Sequence, residues 1–582
     1  MCSSDLSTGA LTFTGGITNN GHTLTIGVNG NVTMSATSNV ISGGGGLTKN
    51  GTGNLLLGSG GTPPAHSYTG PTIINGGVVM IFNNKASGNM TLNNGMLTDY
   101  YQTTYVFSGG LGTGSNQIQI YGDSGFGGGN GNSNWRIGTA GSTLVWGALG
   151  EGTATGFFNP TSLKFLTSAD NMGPSIYGQA TLDNGLNLNG AARTVSVLAA
   201  TGTNAITSSK GTISGVISGS TGSLIKTGGG NLVLSGTNTY GGGTTVQAGM
   251  LQLANASALG ATSGPLTVNA GLLNLNDQTV SIGNLTGLGG TIANNASNAR
   301  TLTIGSGNGT GGIYQGVIAN KTGTGTGSVA LTKTGTGTIT LAGPNTYTGA
   351  TLINGGGTLI LTGATQATTA ITFAANSSLG VVVGSPVTAS SAAVNFTNGK
   401  VSVTGTPSAS SHVLLTAASF TGTPVLAAAV PGYQLQVVGN QLQLNQVITD
   451  PYAVWSGGAA FDADTNGDGV KNGLAFLLGA SGPNASVTLP TVTQSAGNLV
   501  LTFQCLNSAS RGSAVLNVEH SSNIGISDPW TAVVVPGASS GPTSGVTFTV
   551  SPASATLNNV TATISNSEAA LGKLFGRLKA NP

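Results

Sequence analysis

Leu331-Thr332-Lys333-Thr334-Gly335-Thr336-Gly337-Thr338-Ile339-Thr340-Leu341 opens the stretch that decides the fold. It continues through Asn345-Thr346-Tyr347-Thr348-Gly349 and closes with Thr351-Leu352-Ile353-Asn354-Gly355-Gly356 and Thr358-Leu359-Ile360-Leu361. Ile339 and Leu341 alternate with threonine, and Leu359 and Leu361 share one parity, the two-residue period of a strand with one face inside. Glycine, asparagine and threonine divide the runs and mark corners, where glycine permits the positive φ of a sharp turn.

Two further segments share the pattern. One runs Leu224-Ile225-Lys226-Thr227-Gly228, Asn231-Leu232-Val233-Leu234, Tyr240-Gly241-Gly242 and Thr245-Val246-Gln247-Ala248-Gly249. The other runs Leu47-Thr48-Lys49-Asn50-Gly51, Leu55-Leu56-Leu57, Tyr68-Thr69-Gly70 and Thr72-Ile73-Ile74-Asn75-Gly76-Gly77. Lysine precedes tyrosine by 14 residues in two copies and by 19 in the earliest, whereas tyrosine precedes the later glycine by 9 in all three. An insertion confined to one joint, with strand spacing kept, is what stacked coils allow. One copy cannot bury its inner face alone, whereas stacked copies pair strand on strand around a continuous apolar column. Weaker strand-turn units such as Leu186-Asn187-Leu188 and Leu273-Asn274-Leu275 fill the intervals. The expected fold is all-β: a parallel β-helix (solenoid) over 6–445, then a linker over 446–480 and a small antiparallel β-sandwich over 481–582.

Composition agrees. The 582 residues include 99 glycines but only 19 prolines and no Gly-X-Y period, which excludes collagen. Hydrophobic residues make up 38 % of the chain in short alternating clusters, enough apolar surface to offset ordering entropy. Only 5 % of residues are charged and the net charge is +2, with no basic run or basic-aromatic stripe, so nucleic acid is not an expected partner. Cys2 and Cys505 cannot staple an array, and no stretch reaches the length of a membrane-spanning helix. Residues 1–5 lack a signal-peptide pattern, and the strand pattern is already under way at Leu6, so the natural start is expected upstream.

The three segments resemble the autotransporter-associated β-strand repeat, also named the passenger-associated transport repeat, of bacterial surface proteins. The likeness rests on Leu-Thr-Lys-x-Gly-x-Gly-x-Leu-x-Leu-x-Gly followed by Asn-Thr-Tyr-x-Gly, as at 331–349. It implies a secreted or cell-surface β-helix passenger, in a family where the repeat helps the chain cross and fold outside the cell. The strand pattern of a membrane barrel is not seen in 450–582, so the expectation does not extend to self-export through a barrel of its own.

Composition shifts near residue 446. Asp462-Ala463-Asp464-Thr465-Asn466-Gly467-Asp468-Gly469-Val470-Lys471-Asn472-Gly473 places oxygen side chains around a glycine turn, a pattern suited to calcium. In the register starting at Asp464, side chains come from Asp464, Asn466 and Asp468, a carbonyl from Val470, and a water-mediated contact from Asn472. Ala475 stands where a bidentate glutamate is expected, and Asp462 is a further candidate ligand. The alternative is an Asx-rich turn holding no ion. Residues 474–478 read as helical; 499–503, 514–519, 530–535, 546–550 and 573–579 read as strands. The stretch 450–582 resembles the C-terminal module of repeat-rich exported proteins of Verrucomicrobia-like bacteria, and a cap on the last open coil is one physical role for it.

No catalytic residues are expected. Asp99, Asp123, Glu151, Asp170, Asp183 and Asp277 are too scattered to build a glycosidase pair, Asp170 with Asp183 being the one combination worth testing. His22, His66, His412 and His520 are isolated. Lys49, Lys226 and Lys333 are expected to be solvated edge residues that discourage lateral aggregation, and Tyr68, Tyr240 and Tyr347 to pack in corners or stack on sugars. Trp135, Arg136 and Trp146, in the least repetitive stretch, are the candidate ligand surface. The chain therefore reads as a non-enzymatic stalk, adhesin or matrix component, whose partners would be extracellular polysaccharide or cell-surface components; a polysaccharide-binding or polysaccharide-degrading β-helix is the alternative.

Overall fold

The computed structural model describes residues 2–3, 10–35, 41–58, 66–81, 88–100, 104–128, 132–147, 156–166, 179–199, 210–362, 365–447 and 450–582. Two compact units, Met1–Gln446 and Val447–Pro582, divide the chain.

In the first unit, short strands stack in parallel, coil on coil. Leu224 pairs with Thr244, Thr244 with Leu266, and Leu266 with Leu285. A second wall runs from Asn231 through Met250 and Leu272 to Thr291. Part of the third side carries two-to-three-residue strands such as Thr143–Val145, Gly185–Asn187 and Ile217–Ser218. This is the parallel β-helix the alternation requires. Each short strand sends one or two side chains inward, and they join a single apolar column extending from Ile26 to Leu444. Stacking continues side chain on side chain: the rings of Phe373, Phe396 and Phe420 lie 5.6 and 6.1 Å apart, stacked with their planes 24° and 7° from parallel.

The repeat spacing becomes coil length. Leu47 pairs with Thr72, 25 residues on, whereas Leu224–Thr244 and Leu331–Thr351 each advance 20. The five-residue excess in the earliest copy thus falls within one coil, on the stretch that includes 59–65, which lies outside the described residues. The corner glycines Gly51, Gly228 and Gly335 hold φ of 80°, 73° and 70°. A Cβ at these positions would collide with the carbonyl oxygens of Val28, Val197 and Gly305 respectively, so only glycine fits the stacked corner.

The last coil is covered from within the same unit. After Ser411–Thr421 the pairing reverses: Gln441–Gln446 lies antiparallel to it, and Tyr433–Val438 lies antiparallel to Gln441–Gln446. Leu442 and Leu444 are fully buried, Tyr433, Leu435 and Val437 pack against the column, and Gln434 and Gln436 face solvent. The hairpin thus closes the apolar end and presents a glutamine edge, a capping role that the sequence had suggested for 450–582.

The second unit holds a five-stranded and a three-stranded antiparallel sheet. The strands are Asn498–Leu506, Val515–Ser521, Thr531–Val534, Val546–Pro552 and Phe575–Asn581 where the sequence pointed to them, joined by Thr491–Ser495, Ser540–Thr543 and Leu557–Ile564. The stretch 450–480 is not a linker. Its helices Pro451–Ser456 and Asn472–Leu477 contribute Tyr452, Phe476 and Leu477 to the same core as Leu516, Val518, Phe548 and Val560.

Candidate functional site

The repeat motif builds an interior polar device. Lys226 occupies an inward position of Ser223–Thr227, pairing with Val195 on one side and Val246 on the other, and is 0 % exposed. Its Nζ donates to the carbonyls of Thr227 at 2.7 Å, Gly228 at 2.8 Å and Ala248 at 3.1 Å. Lys49 does the same toward Asn50, Gly51 and Gly76, and Lys333 toward Thr334 and Gly335. The expectation of solvated edge lysines is therefore wrong. Each ammonium uses its donors to satisfy carbonyls that the Lys-x-Gly corner turns inward. The parity of Leu47 with Lys49, and of Leu331 with Lys333, was the signal. Burial pulls the Lys226 ammonium down to about 7 and those of Lys49 and Lys333 to about 8.

The repeat tyrosines pack in corners, also inside. The hydroxyls of Tyr68, Tyr240 and Tyr347 lie 2.6–2.7 Å from those of Thr72, Thr244 and Thr351, four residues on and buried in the next coil. Burial pushes Tyr68 and Tyr347 up to about 12 and raises Tyr240 as well. Asn238 ties neighbouring coils together: its Oδ1 accepts from Ile217 N–H and its Nδ2 donates to the Ala258 carbonyl. Asn345 likewise reaches Ile318 and Gln366. In the earliest copy His66 takes this place, its Nε2 3.2 Å from the Leu57 carbonyl. The lysines, the tyrosines and the Asn238, Asn345 and His66 side chains of the repeat thus work inside the solenoid, while its threonines such as Thr346 lie outside.

Trp135 and Trp146 are not a ligand surface. Both are 0 % exposed. Trp135 stacks on Phe126 at 4.9 Å and donates Nε1–H to Gly127; Trp146 packs edge-on against Phe158 and donates to Pro160. The coil there is longer, Ile120 pairing with Phe158 38 residues on, and the rings pack in its interior. Arg136 is partly exposed and pairs with Asp183 at 2.9 Å.

The described solenoid acids are held by neighbours. Asp123 meets Lys164 at 3.1 Å. Asp277 accepts from the Asn298 N–H and side chain and then from Asn294, which hold its carboxyl below the usual range. Asp183 is engaged by Arg136 and Ser214. Asp170 and Glu151 lie outside the described residues, so the pairing of Asp170 with Asp183 is not placed.

The Asp/Asn loop folds as a tight Asx turn. Asp464 accepts from Gly467 N–H at 2.9 Å and Gly469 N–H at 2.8 Å, and Asp468 accepts from Val470 N–H and Asn466 Nδ2. Asn466 and Asp468 thus meet side chain to side chain, while Asp464 holds the amides of the turn. Asn472 turns inward, 1 % exposed, bound to Thr465 and to the Ala460 carbonyl, and Asp462 points to Lys471 at 3.7 Å. Among the described residues no group of three or more His, Cys, Asp or Glu gathers as a metal cluster.

Comparison with known proteins returns to the repeat. Residues 47–81, 224–253 and 331–356 match the passenger-associated-transport-repeat family. A stretch of 180 residues is 37 % identical to the adhesin BmaC autotransporter of Brucella suis biovar 1 (strain 1330), covering 30 % of this chain and 5 % of that protein's length. No solved structure matches. No helix among the described residues is long and apolar enough to cross a membrane.

Proposed function

We propose that this chain is a β-solenoid passenger of a secreted or cell-surface protein, acting as a stalk, adhesin or matrix component without catalysis. The observation that carries it is the coincidence of the three matched segments with coils whose Lys, Tyr and Asn, or His66 in the earliest, are committed to the interior. A scaffold built this way gains length by adding coils, and its outer face is left to threonine, asparagine and serine. The similarity to a named adhesin supports the adhesive reading. Protease treatment of intact source cells tests it. Release of solenoid peptides without lysis is expected, and protection of the chain until lysis overturns the reading.

Calcium belongs to the same proposal. Asp464, Asn466 and Asp468, with the Val470 carbonyl, would hold the ion, which would bridge the two arms of the loop and stiffen its approach to helix Asn472–Leu477. Asn472 serves the fold instead. With Ala475 in place of an acidic ligand, binding is expected in the ~10⁻⁴–10⁻³ M range of extracellular modules. Millimolar calcium should raise the melting temperature of the second unit, and Asp464→Asn should remove that rise; unchanged melting in both proteins contradicts the site.

A further inference from the structure

The second unit carries five cations in all, Lys471, Arg511, Lys573, Arg577 and Lys579, and three of them line one cleft. The cleft, about 390 Å³, runs between the Asp/Asn loop and strand Phe575–Asn581. Phe461, Leu474, Leu578 and Ala580 contribute its apolar lining, and Lys471, Arg577 and Lys579 stand around it. In a chain with so little charge, this clustering is a feature of the surface and not of composition.

The cations are held ready. Glu519, opposite Arg577 across the sheet and only 5 % exposed at its side chain, takes Arg577 Nη2 at 2.6 Å and Nε at 2.7 Å, with Lys579 Nζ at 3.4 Å. The guanidinium also lies 4.0 Å over the Trp530 ring. Glu519 is therefore buried beneath the positive groups it orients, whereas Arg577, Lys579 and Lys471 keep roughly half or more of their side chains exposed. Lys471 pairs with the exposed Asp462 carboxylate at 3.7 Å. The accessible charge is net positive, three cations against the exposed Asp462 that also lines the cleft, and the lining is part polar and part apolar.

We propose that this cleft binds an acidic polysaccharide. Carboxylate or sulfate groups would pair with Lys471, Arg577 and Lys579 while the C–H faces of the sugar rings rest on Leu474, Leu578 and Phe461. Charge complementarity selects the anion, and Arg577, oriented by Glu519 and Trp530, loses little freedom on engaging it. The inference rests on the reading of the chain as a secreted or cell-surface protein.

The test measures binding of the full chain to soluble polygalacturonate, dextran sulfate and neutral dextran, with a chelator present so that calcium cannot cross-link the polymer. Both acidic polymers should bind and dextran should not, with affinity falling as salt is raised. Lys471→Gln/Lys579→Gln, which leaves the Arg577–Glu519 pair intact, should weaken binding about tenfold, the loss expected of two charge contacts at a solvent-exposed rim. Lys321→Gln/Lys400→Gln, with the same charge removed from the solenoid, should bind as the unaltered chain does. Dextran sulfate alone binding would restrict the ligand to sulfated glycans. Equal loss in both double variants, or no preference for acid over neutral polymer, overturns the cleft. Surface exposure in the protease assay would then still stand, so the two readings fail separately.

Discussion

At the residue scale, the molecule spends its few charges in an unusual place. A lysine in the apolar column would be costly without partners, and the Lys-x-Gly corner supplies them as inward carbonyls. Lys226→Met keeps the volume but removes every donor from Thr227, Gly228 and Ala248. A loss of about 2 kcal/mol is expected, within the range for unmade hydrogen bonds to a charged group, read as a lower denaturant midpoint; an unchanged midpoint contradicts the clamp. The titration has a definite sign. Lys226 sits near 7 in the fold and Lys49 and Lys333 near 8, against 10.5 when solvated, so between those limits the unfolded chain binds more protons and stability rises with pH. The tyrosines act in reverse. Tyr68 and Tyr347 sit near 12 against 10.0, so stability falls once pH passes 10. Thermal midpoints should climb from pH 7 to about 10 and then drop, and the Lys226→Met chain should climb less steeply. A midpoint that falls steadily over that climb would show the lysines to be ordinary.

At the element scale, the unit that matters is the coil. The three copies show that length can vary on the stretch before the tyrosine while the strand register holds. Five residues inserted between Ser235 and Gly236 should therefore shift stability by less than about 1 kcal/mol, since loop-closure cost grows slowly with length. One residue inserted after Ile225 should be far worse, because it turns Lys226 and the residues that follow to the opposite face. Equal tolerance of both insertions, measured by denaturation midpoint, would refute the coil assignment. The terminal hairpin makes a separate prediction. Leu442→Lys/Leu444→Lys places charge at two fully buried positions and should unseat the cap, exposing a strand edge that promotes association. Light scattering should report it; a monodisperse variant would mean that the column end needs no cover.

At the scale of the whole molecule, the sequence made the solenoid legible because alternation and glycine corners repeat, and each coil reiterates the same constraint. It did not reveal the lysines, since an isolated Lys is solvated far more often than caged. Only its parity with Leu47, Leu224 and Leu331 carried the information. Trp135 and Trp146 misled for the opposite reason: a break in the repeat suggests an insertion with a purpose, and here the rings pack into the apolar column of a longer coil. The cap was readable in the strict Gln-Leu-Gln-Leu alternation of 441–444, yet an antiparallel turn at the end of a parallel array leaves no mark beyond that alternation. The basic cleft joins residues more than a hundred positions apart, Lys471 with Arg577 and Lys579, and only the packing of helix Asn472–Leu477 near the last strand reveals it.

In the proposed reading the chain is a surface scaffold that meets polysaccharide through its second unit and does not cut it. Incubating the purified chain with insoluble bacterial, algal and plant polysaccharides, and scoring both retention on the pellet and release of soluble sugar, distinguishes a binding scaffold from an enzyme. Retention with no sugar released is the predicted result. Steady release of sugar, abolished by Asp183→Asn or Asp170→Asn, would contradict it and show that the coils carry an active site.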